Sequence, residues 1–374
     1  MPRVRYHAVK PQSEQDTYTS SNKPEFLISV GSGRSLVPNS VRILADVRVL
    51  SDSSNSASRS TGQRTFDRNL GGHAFIDTVN VNFSNLGSIE ENTNYARYVG
   101  MDAIASKNEY DMLNSSNACE LRGVTQVYTT DLCQGITPSL TTGTPVTEDA
   151  DFSLKPLCCL NKMDSRVNGL PMARTGIIRL SIVLADNLDA IFGQAADVNC
   201  GYELRNLRCD FKSVPDSKTP EEVTMGIVHD FKSNLLSNEA TISTNVAAMC
   251  DSVAINFIQN QHESVPVYNS YKMENVQGLE QIQYLFNSQS NSLVTYPITD
   301  RTEMLQRFIE AMEAGGHNQV SIDKYRANAG WSVGLKFDEQ IDLRNNVFTL
   351  QLASTVDQNY PVNCFMYFFS RRVV

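Results

Sequence analysis

Residues 41–50 read VRILADVRVL, and alternate positions from Val41 to Val49 are all apolar. Polar residues, including Asp46 and Arg48, lie between them. A period of two in the apolar positions is typical of a strand with one face in a hydrophobic core. This stretch therefore predicts a half-buried β-strand.

Similar strand-like stretches occur along the whole chain. Each is short, and most are rich in β-branched or aromatic residues. We predict strands at residues 25–30, 41–50, 75–83, 152–160, 177–184, 202–214, 253–258, 279–286, 331–337, 347–352 and 362–369. The apolar positions of 202–214 change phase after Leu204, which predicts a β-bulge in that strand. The pattern as a whole indicates an all-β protein built as a sandwich or a barrel.

One helix is predicted in each half of the chain. Residues 95–104 and, more clearly, residues 300–314 carry apolar side chains at helical spacing. Asp300 is placed to cap the second helix, and the glycines at 315 and 316 are placed to end it. Each half therefore has the order strands, turn, helix, loop and strands. That order indicates an internal duplication, although residue identity between the halves is negligible.

A short linker, PDSKTP at residues 215–220, separates the two halves. Its two prolines and its charged residues are typical of a domain boundary. We predict an extended N-terminal arm at residues 1–24 and a first domain at residues 25–215. The first domain contains a long polar loop at 115–151, and the second domain occupies residues 216–374.

The bulk composition excludes several classes of protein. The chain has 374 residues, of which 41% are hydrophobic and 20% charged, as in ordinary globular proteins. Its formal net charge of −9 argues against a surface that binds nucleic acid throughout. The N-terminus lacks the apolar region of a signal peptide, and no apolar run is long enough to span a membrane. The eight cysteines include no C-x-x-C pair, so we expect free thiols in a reducing compartment.

The sequence offers little catalytic chemistry. It contains no G-x-S-x-G, H-E-x-x-H or P-loop pattern. The five histidines are far apart, and we expect them, like Glu90 and Glu91, to lie in solvated loops. Glu148, Asp149 and Asp151 are interpreted as solvated loop charges, with a bound hard cation as the alternative. We therefore predict that the protein is not an enzyme and has no cofactor, no metal and no small-molecule substrate.

Basic residues are found at both ends of this acidic chain. Arg3, Arg5 and Lys10 lie near the N-terminus, and Arg371 and Arg372 lie near the C-terminus. One interpretation is solvated terminal charge. The other is that both ends contact one polyanionic surface, either nucleic acid or a membrane leaflet.

Three stretches of the chain carry a family resemblance. The first is HAFIDTVNVNFSNLGSIEENTNYARYVGMDAI at residues 73–104, and the second runs from GIIRLSIVL at residue 176 to residue 214. The third, residues 273–374, contains DKYRANAGWSVGLKFDE and the closing aromatic strand. In pattern and order the chain resembles the double-jelly-roll major capsid proteins of icosahedral DNA viruses. That lineage includes tailless membrane-containing phages, adenovirus, virophages and polinton-like elements, and the resemblance extends from about residue 25 onward.

The resemblance implies an all-β fold of two consecutive eight-stranded jelly rolls with short helices in the connections. It implies a structural protein of the virion that forms homotrimers, in which six jelly rolls make a pseudo-hexagonal capsomer. Such capsomers tile an icosahedral shell around DNA and contact neighbouring capsomers, penton and minor capsid proteins and, in some viruses, an internal membrane. The alternatives are another jelly-roll virion component, such as a penton or spike, and a non-viral β-sandwich binding protein.

Under this interpretation the C-terminal sequence YPVNCFMYFFSRRVV, residues 360–374, is the closing strand of the second jelly roll. Its side chains are apolar on both faces, so both faces need a cover. One face is expected to fill the core, and the other to pack against a jelly roll of the same chain or of another subunit. The candidates for such packing are Trp331, Phe365, Tyr367, Phe368 and Phe369.

Overall fold

The computed structural model describes residues 4–50, 64–67, 69–106, 119–122, 150–164, 169–193, 201–217, 222–235, 238–265, 268–317, 331–355 and 361–374. The stretch at 41–50 forms strand β5 (Arg42–Leu50). Its alternating residues Ile43, Ala45 and Val47 are buried, as their period of two predicts.

The first unit of the fold contains thirteen strands among the described residues. They are β1 (Arg5–Val9), β2 (Thr17–Thr19), β3 (Glu25–Ile28), β4 (Arg34–Leu36), β5 (Arg42–Leu50), β6 (Arg64–Thr65), β7 (Ile76–Phe83), β8 (Gly87–Asn92), β9 (Ala150–Leu154), β10 (Leu170–Pro171), β11 (Ile178–Leu184), β12 (Phe192–Gly193) and β13 (Gly201–Pro215). Its helices are α1 (Tyr95–Ser106), α2 (Met172–Thr175) and α3 (Asn187–Ala190), with 3-10 turns at Gly71–Phe75 and Cys159–Asn161.

The second unit contains eight described strands and one long helix. They are β14 (Thr224–Leu235), β15 (Glu239–Thr244), β16 (Met249–Gln259), β17 (Leu279–Phe286), β18 (Ser288–Ser292), α4 (Arg301–Ala314), β19 (Ser332–Asp342), β20 (Phe348–Ser354) and β21 (Val362–Val373). A 3-10 turn at Asn260–His262 follows β16.

The strand order is that of a jelly roll in both units. In the second unit the sheets run β14-β21-β16-β19 and β15-β20-β17-β18, so strands one, eight, three and six face strands two, seven, four and five. In the first unit, β1 and β2 together take the first position beside β13, followed by β5 and β9. The facing sheet runs β3-β11-β7-β8, and the short strands β4 and β10 extend the first sheet. The predicted pair of jelly rolls is therefore present.

Each unit encloses its own hydrophobic core between its two sheets. In the first unit, Val47 on β5 and Val81 on β7 belong to one cluster of buried apolar residues. In the second unit, Ile255 on β16 and Leu350 on β20 belong to another. The buried residues of both sheets thus stabilise each sandwich by removing apolar surface from water.

Two local predictions match the structure. The Asp300 carboxylate accepts the backbone N–H groups of Thr302 at 2.6 Å and Glu303 at 3.2 Å, so it caps α4. In β13 the pairing with β5 shifts register between Arg205 and Arg208. Asn206, inside that shift, has a φ of 51°, which marks the predicted bulge.

Some elements differ from the predictions. Residues 5–9 and 17–19 of the predicted arm are strands that pair with β13. The strand predicted at 152–160 ends at Leu154, and its apolar second part forms a buried 3-10 turn at Cys159–Asn161. Residues 288–292, which are absent from the predicted strands, form β18. Charged and small polar residues hide the alternation of these strands, and pairing with a long neighbour stabilises them instead.

The predicted boundary between residues 215 and 216 falls between β13, which ends at Pro215, and β14, which begins at Thr224. Most of the predicted loop at 115–151, including Glu148 and Asp149, lies outside the described residues.

Candidate functional site: the interface between the two jelly rolls

Strand β21 is buried on both faces, as its composition requires. It lies between β14 and β16, and residues 362–370 are all buried. One face points into the second core, where the ring of Phe368 lies 5.4 Å from that of Phe348 on the opposite sheet. Trp331 lies in the same core, with its ring centroid 5.6 Å from that of Phe257.

The other face of β21 packs against helix α1 of the first jelly roll. The ring of Tyr98 lies 5.5 Å from that of Tyr367 and 6.2 Å from that of Phe369. The Tyr367 hydroxyl donates to the backbone carbonyl of Asn94 at 3.2 Å. The structure therefore places two of the five candidate residues, Tyr367 and Phe369, against the other jelly roll of the same chain.

Phe365 completes this apolar contact between the units. The guanidinium carbon of Arg97, on α1, lies 4.1 Å from the centroid of the Phe365 ring. Arg97 is itself buried and donates to the carbonyls of Ser270 and Lys272 in the second unit. A buried guanidinium over an aromatic face, with its donors satisfied, is a favourable arrangement. Trp331 and Phe368 are thus core residues, and Phe365, Tyr367 and Phe369 join the two units.

The outer edge of β14 is covered by the first jelly roll. Gly226 donates its N–H to the carbonyl of Lys162 at 2.9 Å, and Asp164 donates to the carbonyl of Thr224 at 3.1 Å. Further along, Val228 donates to the Glu90 carboxylate at 3.1 Å. Backbone groups at a sheet edge attract other strands unless they are satisfied. Here three backbone groups near the start of β14 are satisfied within the chain.

Glu90 satisfies backbone groups from both units. It lies on β8 and is only 2% exposed. One carboxylate oxygen accepts the N–H of Val228 in the second unit, and the other accepts the N–H of Cys159 in the first. Burial raises the pKa of Glu90, with the positive charge of Lys162 and these two hydrogen bonds opposing the shift. The sequence prediction of a solvated loop residue was wrong for Glu90.

A chain of polar side chains continues from this point into the interface. The Lys162 ammonium donates to the hydroxyl of Tyr98, and that hydroxyl lies 2.9 Å from Nε2 of His317. Nδ1 of His317 lies 2.6 Å from a carboxylate oxygen of Asp102. These residues come from α1, from the loop after β9 and from the end of α4. Both ring nitrogens of His317 are therefore partnered, although the sequence suggested a loop histidine in solvent.

Burial is the largest cause of the pKa shifts among these linked polar side chains. Burial and the charge of Lys162 lower the pKa of His317, while Asp102 opposes them. Burial also lowers the pKa of Lys162 and raises that of the Tyr98 hydroxyl well above its usual value. His317 is buried and partnered on both nitrogens, so it forms part of the contact between the two jelly rolls.

A polar rim surrounds the contact. The Thr93 hydroxyl donates to Asp230 at 2.7 Å, and the Ser264 hydroxyl donates to Asp189 at 2.7 Å. Inside the contact, the buried Tyr271 hydroxyl donates to the carbonyl of Ala74 at 3.1 Å. Each bond joins one jelly roll to the other, so the two units are held together by an apolar centre, a buried polar chain and a polar rim. Sequence periodicity carries no signal for such pairs, because the partners are far apart along the chain.

The structure brings some of the basic candidates to one end of the molecule. Arg5 pairs with Ser213 near the end of β13, and Arg372 pairs with Met225 near the start of β14. Arg371 lies beside Arg372, and its Nε is 3.1 Å from a carboxylate oxygen of Asp251.

The remaining basic candidates lie elsewhere. Lys10, beyond the other end of β1, donates to Glu14. Arg3 lies outside the described residues. Exposed ion pairs such as those of Lys10 and Arg371 contribute little stability but reduce the free positive charge. Arg5 and Arg372 are therefore the candidates that best retain it.

Other candidate sites are limited in what they offer. Within the described ranges, no three His, Cys, Asp or Glu side chains come together as a metal site would need. Of the acidic residues Glu148, Asp149 and Asp151, only Asp151 is described, and it is exposed on β9. All six described cysteines are free, and five of them are buried. Among the helices that the structure describes, none has the length and apolarity needed to span a membrane.

Solved capsid protein structures share this fold over nearly the whole chain. The Faustovirus major capsid protein is 7% identical with a TM-score of 0.65, and the match covers 100% of this chain and 90% of that one. A chain of the Sputnik virophage is 11% identical with a TM-score of 0.56, covering 99% and 85%. The mavirus major capsid protein is 9% identical with a TM-score of 0.53, covering 98% and 86%. At such low identity the likeness concerns the fold, and it confirms the predicted double jelly roll.

No protein-family model matches the sequence, and no curated protein is similar to it at the level of sequence.

Proposed function

We propose that this protein is the major capsid protein of an icosahedral DNA virus. In this proposal three copies form a capsomer whose six jelly rolls make a pseudo-hexagonal tile, and the tiles enclose the genome. The observation that carries it is the pair of jelly rolls with one strand order, held side by side by α1 and β21. The likeness in fold to major capsid proteins over nearly the whole chain supports the same role.

The physical properties of the chain suit a structural role. Two hydrophobic cores and the buried interface between them make the molecule rigid. A capsid shell requires rigid subunits and does not require a binding cleft. The titratable groups with shifted pKa values that lie at the interface, such as Glu90 and His317, serve the contact between the units. Perturbed groups of this kind occur in structural networks as well as in active sites.

We assign the protein to the virion, where its partners are neighbouring capsomers and penton and minor capsid proteins. Arg5 and Arg372 are proposed to face the interior and to contact the genome or an internal membrane, because they lie at one end of both jelly rolls. The buried free thiols fit synthesis in a reducing compartment. Burial raises the pKa of Cys158 to about 12, which keeps it as an unreactive thiol.

Oligomeric state and particle shape test the proposal. Light scattering of the purified protein is expected to give a trimer, and electron microscopy of assembled material is expected to show hexagonal capsomers. A stable monomer at micromolar concentration would contradict the capsomer and favour a β-sandwich binding protein. Fivefold oligomers would favour a penton.

A further inference from the structure

One residue of the second jelly roll enters the linked polar side chains at the interface. That residue is His317, which follows α4, and it is only 8% exposed. The other members, which all belong to the first jelly roll, are Glu90, Tyr98, Asp102 and Lys162. Both ring nitrogens of His317 contact side chains of this set. At this point the second jelly roll is therefore held to the first by one imidazole ring.

The direction of each hydrogen bond is fixed when His317 is neutral. The Lys162 ammonium can only donate, so the Tyr98 oxygen is its acceptor. The single proton of that hydroxyl then goes to Nε2 of His317, 2.9 Å away. The Nδ1–H of His317 donates to Asp102 at 2.6 Å. With neutral His317, each donor in this set thus meets an acceptor, and this pairing assigns the tautomer of the ring.

A second proton on His317 breaks this pairing. With Nε2 protonated, the Tyr98 oxygen faces two cationic donors, the Lys162 ammonium and the imidazolium. The proton of the Tyr98 hydroxyl then has no acceptor left among these side chains. Asp102 attracts the imidazolium, but it already accepts Nδ1–H from the neutral ring, so protonation adds no bond there. The closed contact therefore favours neutral His317, whereas a His317 in water takes up the proton without this conflict.

The other elements packed against His317 do not reverse the effect. Burial raises the pKa of Glu90 on β8, so acid neutralises this carboxylate and removes a negative charge that offsets Lys162. Strand β21 presents Phe369, whose ring lies 5.3 Å from that of His317 and carries no charge. On α4 the last charged residue is Glu313, which is exposed to water. The cation that opposes protonated His317 is therefore Lys162.

We propose that His317 is an acid-sensitive latch between the two jelly rolls. Neutral His317 holds the contact closed, and protonated His317 leaves it, so that the interface opens while both units stay folded. Each unit has its own hydrophobic core, so neither core depends on the latch. This inference goes beyond the structural role proposed above and holds for a single chain, whatever its oligomeric state.

Proton linkage sets the size and the direction of the effect. The pKa of His317 is lowered from 6.5 in the closed contact and returns towards that value when the ring meets water. Acid therefore shifts the equilibrium towards the open form. The ratio of open to closed molecules rises by up to about tenfold for each pH unit below about 6.5, until the pH reaches the pKa of the closed contact.

Hydrogen exchange of the full chain tests the latch. After correction for the intrinsic rate, exchange in α1 and β21 of the wild type is expected to accelerate between about pH 7 and about pH 5, while exchange in β5 is not. His317→Gln retains an acceptor for Tyr98 and a donor for Asp102 but takes up no proton. The acceleration in α1 and β21 is therefore expected to be about tenfold smaller in His317→Gln.

Two further variants complete the design. Lys162→Met removes the cation that opposes the imidazolium, so the acceleration is expected to shrink in this variant as well. His7→Gln is the matched control, because His7 lies on β1 against Phe211, away from the interface, and burial lowers its pKa too. This control should accelerate as the wild type does. Equal acceleration in the wild type and His317→Gln would overturn the latch. Acceleration of β5 together with β21 would overturn it too, because the whole chain would then be unfolding.

Discussion

Removing the Glu90 side chain is the sharpest test of how the two jelly rolls are joined. Glu90→Ala leaves the N–H groups of Cys159 and Val228 buried without acceptors. Each such loss costs about 1–3 kcal/mol, so the variant should lose about 2–6 kcal/mol of unfolding free energy. Unfolding entropy of about 2.1 cal/mol/K per residue over 374 residues converts that into a Tm lower by about 3–8 °C.

Glu90→Gln gives an intermediate case, because its single carbonyl oxygen replaces only one of the two acceptors. We expect a loss of about 1–3 kcal/mol, or about 1–4 °C. The matched control is Glu91→Ala on the same strand, which is exposed and should change stability by less than about 0.5 kcal/mol. Differential scanning calorimetry at one protein concentration measures all three variants. If Glu90→Ala melted within about 1 °C of Glu91→Ala, less than the shift expected from two lost acceptors, the assignment of Glu90 as the shared acceptor would be refuted.

Four further predictions concern the same interface and the basic end. Phe365→Ala removes a buried ring and should lower the unfolding free energy, measured by chemical denaturation, by about 3–5 kcal/mol. Arg372→Ala should change it by less than about 0.5 kcal/mol. Equal denaturation midpoints for the two variants would contradict the packing of Phe365 between the jelly rolls. Tyr98→Phe removes the hydroxyl between Lys162 and His317, and hydrogen exchange should rise in α1 and β21 but not in β5. The pKa of His317 is lowered from 6.5 in the folded state, so its contribution to stability is complete above about pH 6.5 and is lost as the pH falls. His317→Gln should therefore flatten the decline of Tm between about pH 7 and about pH 5, and an unchanged slope would show that His317 does not titrate there. Arg372→Glu should weaken flotation with anionic vesicles or retention of DNA while leaving the trimer intact, and undiminished binding of both would remove the basic end from the proposal.

The fold could be predicted from the sequence where the signal is local to one strand or helix. The alternation at β5, the capping aspartate of α4 and the bulge in β13 are local patterns of that kind. The apolar faces of β21 even indicated that both sides of this strand are covered.

The site was less predictable because it depends on partners distant in sequence. Glu90 meets Val228 across 138 positions, and Tyr98 meets His317 across 219. A carboxylate followed by a second carboxylate gives no local sign of burial, and a histidine after a helix gives none either. Strand β14 was not predicted for a related reason. His229, Asp230 and Lys232 interrupt its apolar pattern, and its polar edge contacts the first jelly roll rather than water.

The covered edge of β14 has a consequence for how the protein must be made. The cover comes from residues that precede β14 in the chain, so the first jelly roll can already be folded when β14 leaves the ribosome. The edge that faces the first jelly roll is then covered at once and is not available as a template for other nascent chains, while the opposite edge waits for β21. The second half synthesised alone would expose that edge together with the aromatic face of β21. We therefore expect the order of the two halves in the gene to act as protection against aggregation, so that a permuted chain with the second half first would yield less soluble protein.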